Sequence, residues 1–197
     1  HDDHRYKGCD TEEKDREEKE VAGDMAKGSE SVVELVTVEP LELEIGFNLV
    51  PFVDPEQGGD LLERVKLIRK SLALELGLVV PPIRIRDNMK LKPSDYAIKI
   101  KGVEVGKGSL RIKKLMAIPS PDIVEEIAGD ETLEPAFRTP AKWINEEDRD
   151  RAEALGYSVA DCPSIIATHL TEVIKRNAAD ILGRQEVQQL VDNIKEN

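Results

Sequence analysis

Two amphipathic runs and the stop between them constrain this chain more than anything else in it. Ile165, Ile166, Leu170, Val173, Ile174, Ala178 and Ile181 recur at helical spacing and form one apolar stripe. Ser164 stands where an N-cap is expected, and Gly183 falls just past the stripe, where a left-handed C-cap is expected. Val187, Leu190, Val191 and Ile194 then open a second amphipathic run. Another helix is expected from Leu61 to about Leu76: Leu61, Val65, Ile68, Leu72 and Leu76 share a face, Asp60 and Glu63 have capping-box spacing, and Gly77 ends it. Stripes of this kind need a layer to cover them.

The strand pattern supplies that layer. Leu41-Glu42-Leu43-Glu44-Ile45 and Ile83-Arg84-Ile85-Arg86 alternate with period two. Tyr96 to Ile100 and Val103 to Val105 predict a hairpin across Lys101-Gly102. Lys114 to Ile118 predicts a further strand, and Tyr157 to Val159 another after a charged helix over Glu146 to Leu155. Residues 119–140 read as irregular, with a short helix at Asp122 to Ala128, and Ala141 to Ile144 as a short apolar stretch. Val32 to Val38 reads as a lead-in strand after an acidic stretch, residues 1–31, with eleven acidic against six basic side chains and little to bury. The class is therefore mixed α/β (α+β), with the strand–helix–strand island at about 113–161 leaving and re-entering the main domain.

Composition removes several function classes. The net charge of −12 argues against nucleic-acid binding, which needs a basic surface, and against adsorption to anionic lipid. No apolar run approaches the ~20 residues that cross a bilayer. Cys9 and Cys162 lie far apart and make neither a disulfide framework nor a zinc set. No cofactor and no metal are implied.

Catalytic constellations are equally scarce. Gly102 and Gly106 are separated by three residues rather than four, and Gly108 follows Lys107, so the phosphate-loop pattern fails and a hairpin with exposed glycines is expected. His169 has no partner nearby beyond Glu172 and reads as a helix-surface or packing histidine. Cys162 has no CxxC partner, which counts against a redox or small-molecule enzyme on a thioredoxin-like domain. Trp143 and Tyr157 are expected to pack the smaller domain.

Certain strings go beyond what packing requires. They include Ile45-Gly46, Pro51-Phe52-Val53-Asp54, Gly59-Asp60-Leu61-Leu62, Ile68-Arg69-Lys70, Pro81-Pro82, Ile85-Arg86-Asp87-Asn88, Lys101-Gly102-Val103-Glu104 and Pro135-Ala136-Phe137. Trp143-Ile144, Gly156-Tyr157, Thr168-His169-Leu170 and Gly183-Arg184-Gln185-Glu186 continue the series. In order and spacing, from about Pro40 to Glu196, they resemble the FlhA/InvA family of bacterial type III secretion export-gate proteins, with the flagellar branch closer than the injectisome branch.

The resemblance implies an acidic flexible linker and lead-in strand at 1–39 and a main α/β domain at 40–112 plus 162–181. It implies an inserted small α/β domain at 113–161 and the start of a truncated helical domain at 182–197. It implies a docking platform rather than an enzyme, on the cytoplasmic face of the inner membrane, self-associating into a ring in the full-length protein. The implied partners are export chaperone–substrate complexes and other export-apparatus proteins. The family's docking dimple, carried over by motif, falls on Glu134 and Phe137 of the acid-Pro-Ala-Phe string and on Thr168 of Ala-Thr-His. Many relatives have Asp where this chain has Glu134, one methylene shorter. From the residues alone, Phe137 also reads as a filler of the small domain's core. A purely structural spacer of the ring is a further alternative.

Overall fold

A computed structural model describes residues 39–77 and 79–181. The expected linker, the Val32–Val38 strand, Gly183 and the second amphipathic run lie outside the described residues. Among those described, eight strands form two four-stranded sheets, one completed before the other begins.

The first sheet has the order β2-β1-β3-β4, with β1 Leu41–Ile45, β2 Ile83–Asp87, β3 Asp95–Ile100 and β4 Val103–Ser109. β1 and β2 are parallel and joined through α1, Leu61–Leu76, whereas β1–β3 and β3–β4 are antiparallel. Parallel neighbours need a crossover of this length. Lys101 and Gly102 both have positive φ, 49° and 79°, as a two-residue type I′ hairpin turn requires. Leu41, Leu43 and Ile45 stand opposite Ile100, Ile98 and Tyr96 and share one face. The other face carries charge: Glu42 and Glu44 are nearly buried, paired with Arg86 at 3.5 Å and Lys99 at 2.9 Å. Burial pushes the Glu44 carboxyl up, but bonds from Lys99 and Asn88 and the Lys99 and Arg86 charges outweigh it and hold it below its ordinary value.

The second sheet has the order β6-β7-β5-β8, with β5 Lys114–Pro119, β6 Asp130–Leu133, β7 Pro140–Asn145 and β8 Tyr157–Ala160. All its pairs are antiparallel. Met116, Ala141 and Trp143 join the core that holds the first sheet and α3, Cys162–Arg176. Leu115, Ala117, Ile144 and Tyr157 face a separate small cluster with Ala152 of α2, Arg149–Ala154. Trp143 therefore packs into the larger core, while Tyr157 packs within the smaller cluster.

Several expectations need correction. Residues 122–128 are not helical. Ile123 and Ile127 have helical spacing, but each packs against the small cluster from an irregular strap, and Val124 between them is 99% exposed. Lys142 Nζ holds the strap through the Ile127 carbonyl at 2.9 Å, and the Ile127 N–H donates to the Tyr157 hydroxyl. β6 lies within the stretch expected to be irregular: Asp-Glu-Thr-Leu has no apolar alternation, and the strand exists through pairing with β7. α3 is capped by Asp161, whose carboxylate accepts from the Ser164 N–H at 2.9 Å, rather than by Ser164. At α1 the Asp60 carboxylate takes Arg64 at 3.1 Å and makes no side-chain cap. Regular α3 ends at Arg176, with Asn177 as its C-cap.

Candidate functional site

α3 lies where both sheets meet its buried side: Ile165, Ile166, Leu170, Val173 and Ile174 are covered. His169 belongs to the same buried face, four residues after Ile165 and three after Ile166, and is 5% exposed. Its Nδ1 lies 2.6 Å from the Tyr96 hydroxyl of β3, and the two rings meet edge to face. Burial raises the Tyr96 pKa and lowers that of His169, so a neutral phenol meets a neutral imidazole, with the donor set by which ring nitrogen carries the proton.

Two glycines of β4 make room for this pair. A Cβ on Gly106 would stand 2.9 Å from His169 Nε2, and one on Gly108 2.6 Å from the Tyr96 ring. The glycine spacing that first resembled a phosphate loop is thus a steric allowance for two rings.

Glu134 follows β6 and is 3% exposed. Its Oε1 accepts from the Ala136 N–H at 2.9 Å and its Oε2 from the Phe137 N–H at 2.7 Å. Backbone bonds from Glu134 N–H to the Thr139 carbonyl and from Arg138 N–H to the Glu134 carbonyl close the loop, each at 2.8 Å. Arg138 has a φ of 54°, the left-handed bend that turns the chain into β7. The carboxylate expected to face a partner therefore faces its own loop. Satisfying a charged acceptor with two N–H groups fixes the loop's shape.

What the loop displays is Phe137. Ala136 beside it is buried, yet the Phe137 ring is 53% exposed, so it is not a core filler. The Arg176 guanidinium at the end of α3 lies 5.9 Å from the ring centroid. The structure thus joins Glu134 to Phe137 directly and brings α3 to Phe137 through Arg176. Thr168 is exposed on α3, two turns before Arg176, and no hydrogen bond joins it to Glu134 or Phe137 among the described residues. The loop also borders a cleft of about 600 Å³, lined by Glu134, Pro135 and Arg138 together with Tyr96, Lys107 and Gly108 but not by Phe137.

Sequence reasoning missed Tyr96, Arg138 and Arg176. The spacing of His169 within the stripe was a readable sign of burial, as was the Gly106/Gly108 alternation opposite it. Nothing in the sequence pairs Arg176 with Phe137, because that contact joins a helix end to a turn 39 residues earlier.

The described residues thus form a two-sheet α/β unit with a displayed aromatic turn and a buried polar pair. Its fold is that of cytosolic domains from type III secretion. It matches the structure of the Chlamydia pneumoniae CdsV protein with a TM-score of 0.69 at 19% identity, over 82% of this chain and 49% of that one. It also matches the nonameric EscV cytosolic domain from the type III secretion system, with a TM-score of 0.57 at 18% identity, over 81% of this chain and 45% of that one. The chain belongs to the FHIPEP family, which it matches over residues 3–197. It is 50% identical over 182 residues to the flagellar biosynthesis protein FlhA of Bacillus subtilis, covering 91% of this chain and 26% of that protein. It is 54% identical over 161 residues to FlhA of Treponema pallidum, covering 82% of this chain and 23% of that protein. The chain thus spans about a quarter of the length of these relatives.

Proposed function

We propose that this chain is part of a docking platform of the flagellar type III export gate, on the cytoplasmic face of the inner membrane, and that it receives export chaperone–substrate complexes. In this reading residues 40–112 with 162–181 act as the main domain, 113–161 as an inserted unit, and the whole protein assembles as a ring. The observation that carries it is a half-exposed Phe137 on a loop whose shape is fixed by a buried, fully engaged carboxylate. A ring held out in this way can enter a partner's apolar pocket at little entropic cost, which is how aromatic hot spots work. Glu134 serves by positioning Phe137, and Thr168 extends the surface along α3.

Covering the exposed half of Phe137 by a partner is worth about 1–1.5 kcal/mol. The test is a paired measurement on Phe137→Ala, with thermal unfolding beside the affinity for a purified flagellar export chaperone–substrate complex. Binding should weaken about tenfold while the unfolding temperature hardly moves. Unchanged affinity in a folded variant removes Phe137 from the docking site.

A further inference from the structure

The aromatic turn has a charge environment that sets it apart from the rest of the molecule. The chain carries 40 acidic against 28 basic Lys and Arg side chains. Yet two arginines neighbour the displayed ring, one in sequence and one in space. Arg138 follows Phe137 in the turn, and Arg176 lies over its ring. Both are exposed. Among the described residues neither takes part in an ion pair, although ten such pairs occur elsewhere in the fold. The carboxylate of the turn itself, Glu134, is buried with both oxygens engaged by its own loop.

We infer that Arg138 and Arg176 make the Phe137 surface selective for an acidic, apolar-faced segment of a partner protein, with an apolar side chain on the ring and carboxylates at the two guanidinium groups. This rests on the docking reading above and adds the chemistry of the occupant. Charge complementarity is the argument: guanidinium forks are geometric matches for carboxylates. An exposed cation above an aromatic face is also readily shared with an incoming anion. On a strongly acidic chain an acidic partner is repelled over much of the surface, so exposed guanidinium groups at the turn help to fix where it lands.

The probes are three synthetic helical peptides with the same Leu/Tyr face, flanked by Glu, by Gln or by Lys. Fluorescence anisotropy against the whole chain reads their binding at low salt and at about 0.15 M salt. The Glu peptide should bind about fivefold tighter than the Gln peptide, with the Lys peptide weakest and the spread narrowing in salt. Arg138→Glu with Arg176→Glu should invert the order in favour of the Lys peptide. Because Arg138 has a positive φ, Arg176→Glu alone on its regular helix is the second variant and should give part of the same inversion. Phe137→Ala should weaken all three peptides together. Equal binding of the Glu and Gln peptides, or an order indifferent to the arginine substitutions in folded protein, overturns the acidic-partner inference and leaves the docking reading standing. Peptide binding indifferent to Phe137→Ala overturns the docking reading itself.

Discussion

The two sheets of this chain solve the burial problem in opposite ways. The first hides one face beneath α1 and α3 and meets solvent with a face of paired charges, where Glu42 and Glu44 are held by Arg86, Lys99 and Asn88. The second buries both faces, one against the common core through Met116 and Trp143, the other against a small cluster closed by α2 and an irregular strap. What this sheet leaves in solvent is its edge strand β6 and its turns. Its β6–β7 turn is the one that holds Phe137 out. Under the docking proposal, the first sheet supports and the second presents.

The largest expected effect breaks the attachment between them. Trp143 is 4% exposed and joins the second sheet to the shared core, so Trp143→Ala should cost about 3–5 kcal/mol in chemical denaturation. A loss below about 1 kcal/mol would show that the second sheet stands on its small cluster alone.

A smaller effect is expected on the first sheet's side of α3. Gly108→Ala places a methyl group 2.6 Å from the Tyr96 ring, and β3, α3 and the ring cannot all yield. Overpacking of this kind should destabilise by about 1–3 kcal/mol, read as a lower denaturation midpoint.

The Tyr96–His169 pair gives a pH signature of about 1 kcal/mol or less. Burial lowers the imidazole pKa; Glu134 opposes this, and Arg176 and Arg138 reinforce it. The folded state therefore binds its proton less readily than the unfolded state. The contribution is complete above the unfolded value of ~6.5 and is lost as pH falls through that value toward the folded one. Unfolding temperatures between about pH 7.5 and about pH 5.5 should fall less in His169→Gln than in the parent chain. Equal slopes would mean that His169 titrates alike in both states.

The smallest effect is the stability change of Phe137→Ala. With the ring half in solvent, the change should stay within about 0.5 kcal/mol, in contrast to Trp143 on the same sheet.

What the sequence made legible follows the same division. β1, α1 and the β3–β4 hairpin could be read because their periodicities are local: Leu41, Leu43 and Ile45 alternate, Leu61, Val65 and Leu72 share a helix face, and Lys101-Gly102 has turn chemistry. β6 could not, since Asp130 to Leu133 is a strand only by virtue of β7. The strap misled because Ile123 and Ile127 sit four apart, while Lys142 and Tyr157, distant in sequence, hold it in a non-helical path. Glu134, Phe137 and Thr168 came from the family resemblance, not from periodicity. The resemblance put the Glu134 carboxylate in the docking dimple, facing a partner. Only the fold shows a carboxylate turned inward on Ala136 and Phe137, and only the fold brings Arg176 to the ring.

The most direct test of the central claim, that partners dock on the turn of the second sheet, is an amide-exchange footprint. Exchange would be followed across the chain with and without a purified flagellar export chaperone–substrate complex. The expected result is added protection confined to residues 135–139 and to the exposed side of α3 from Thr168 to Arg176, with the charged face of the first sheet unchanged. Protection on β2 and the outer face of β1, with the 135–139 amides exchanging as in the free chain, would contradict it.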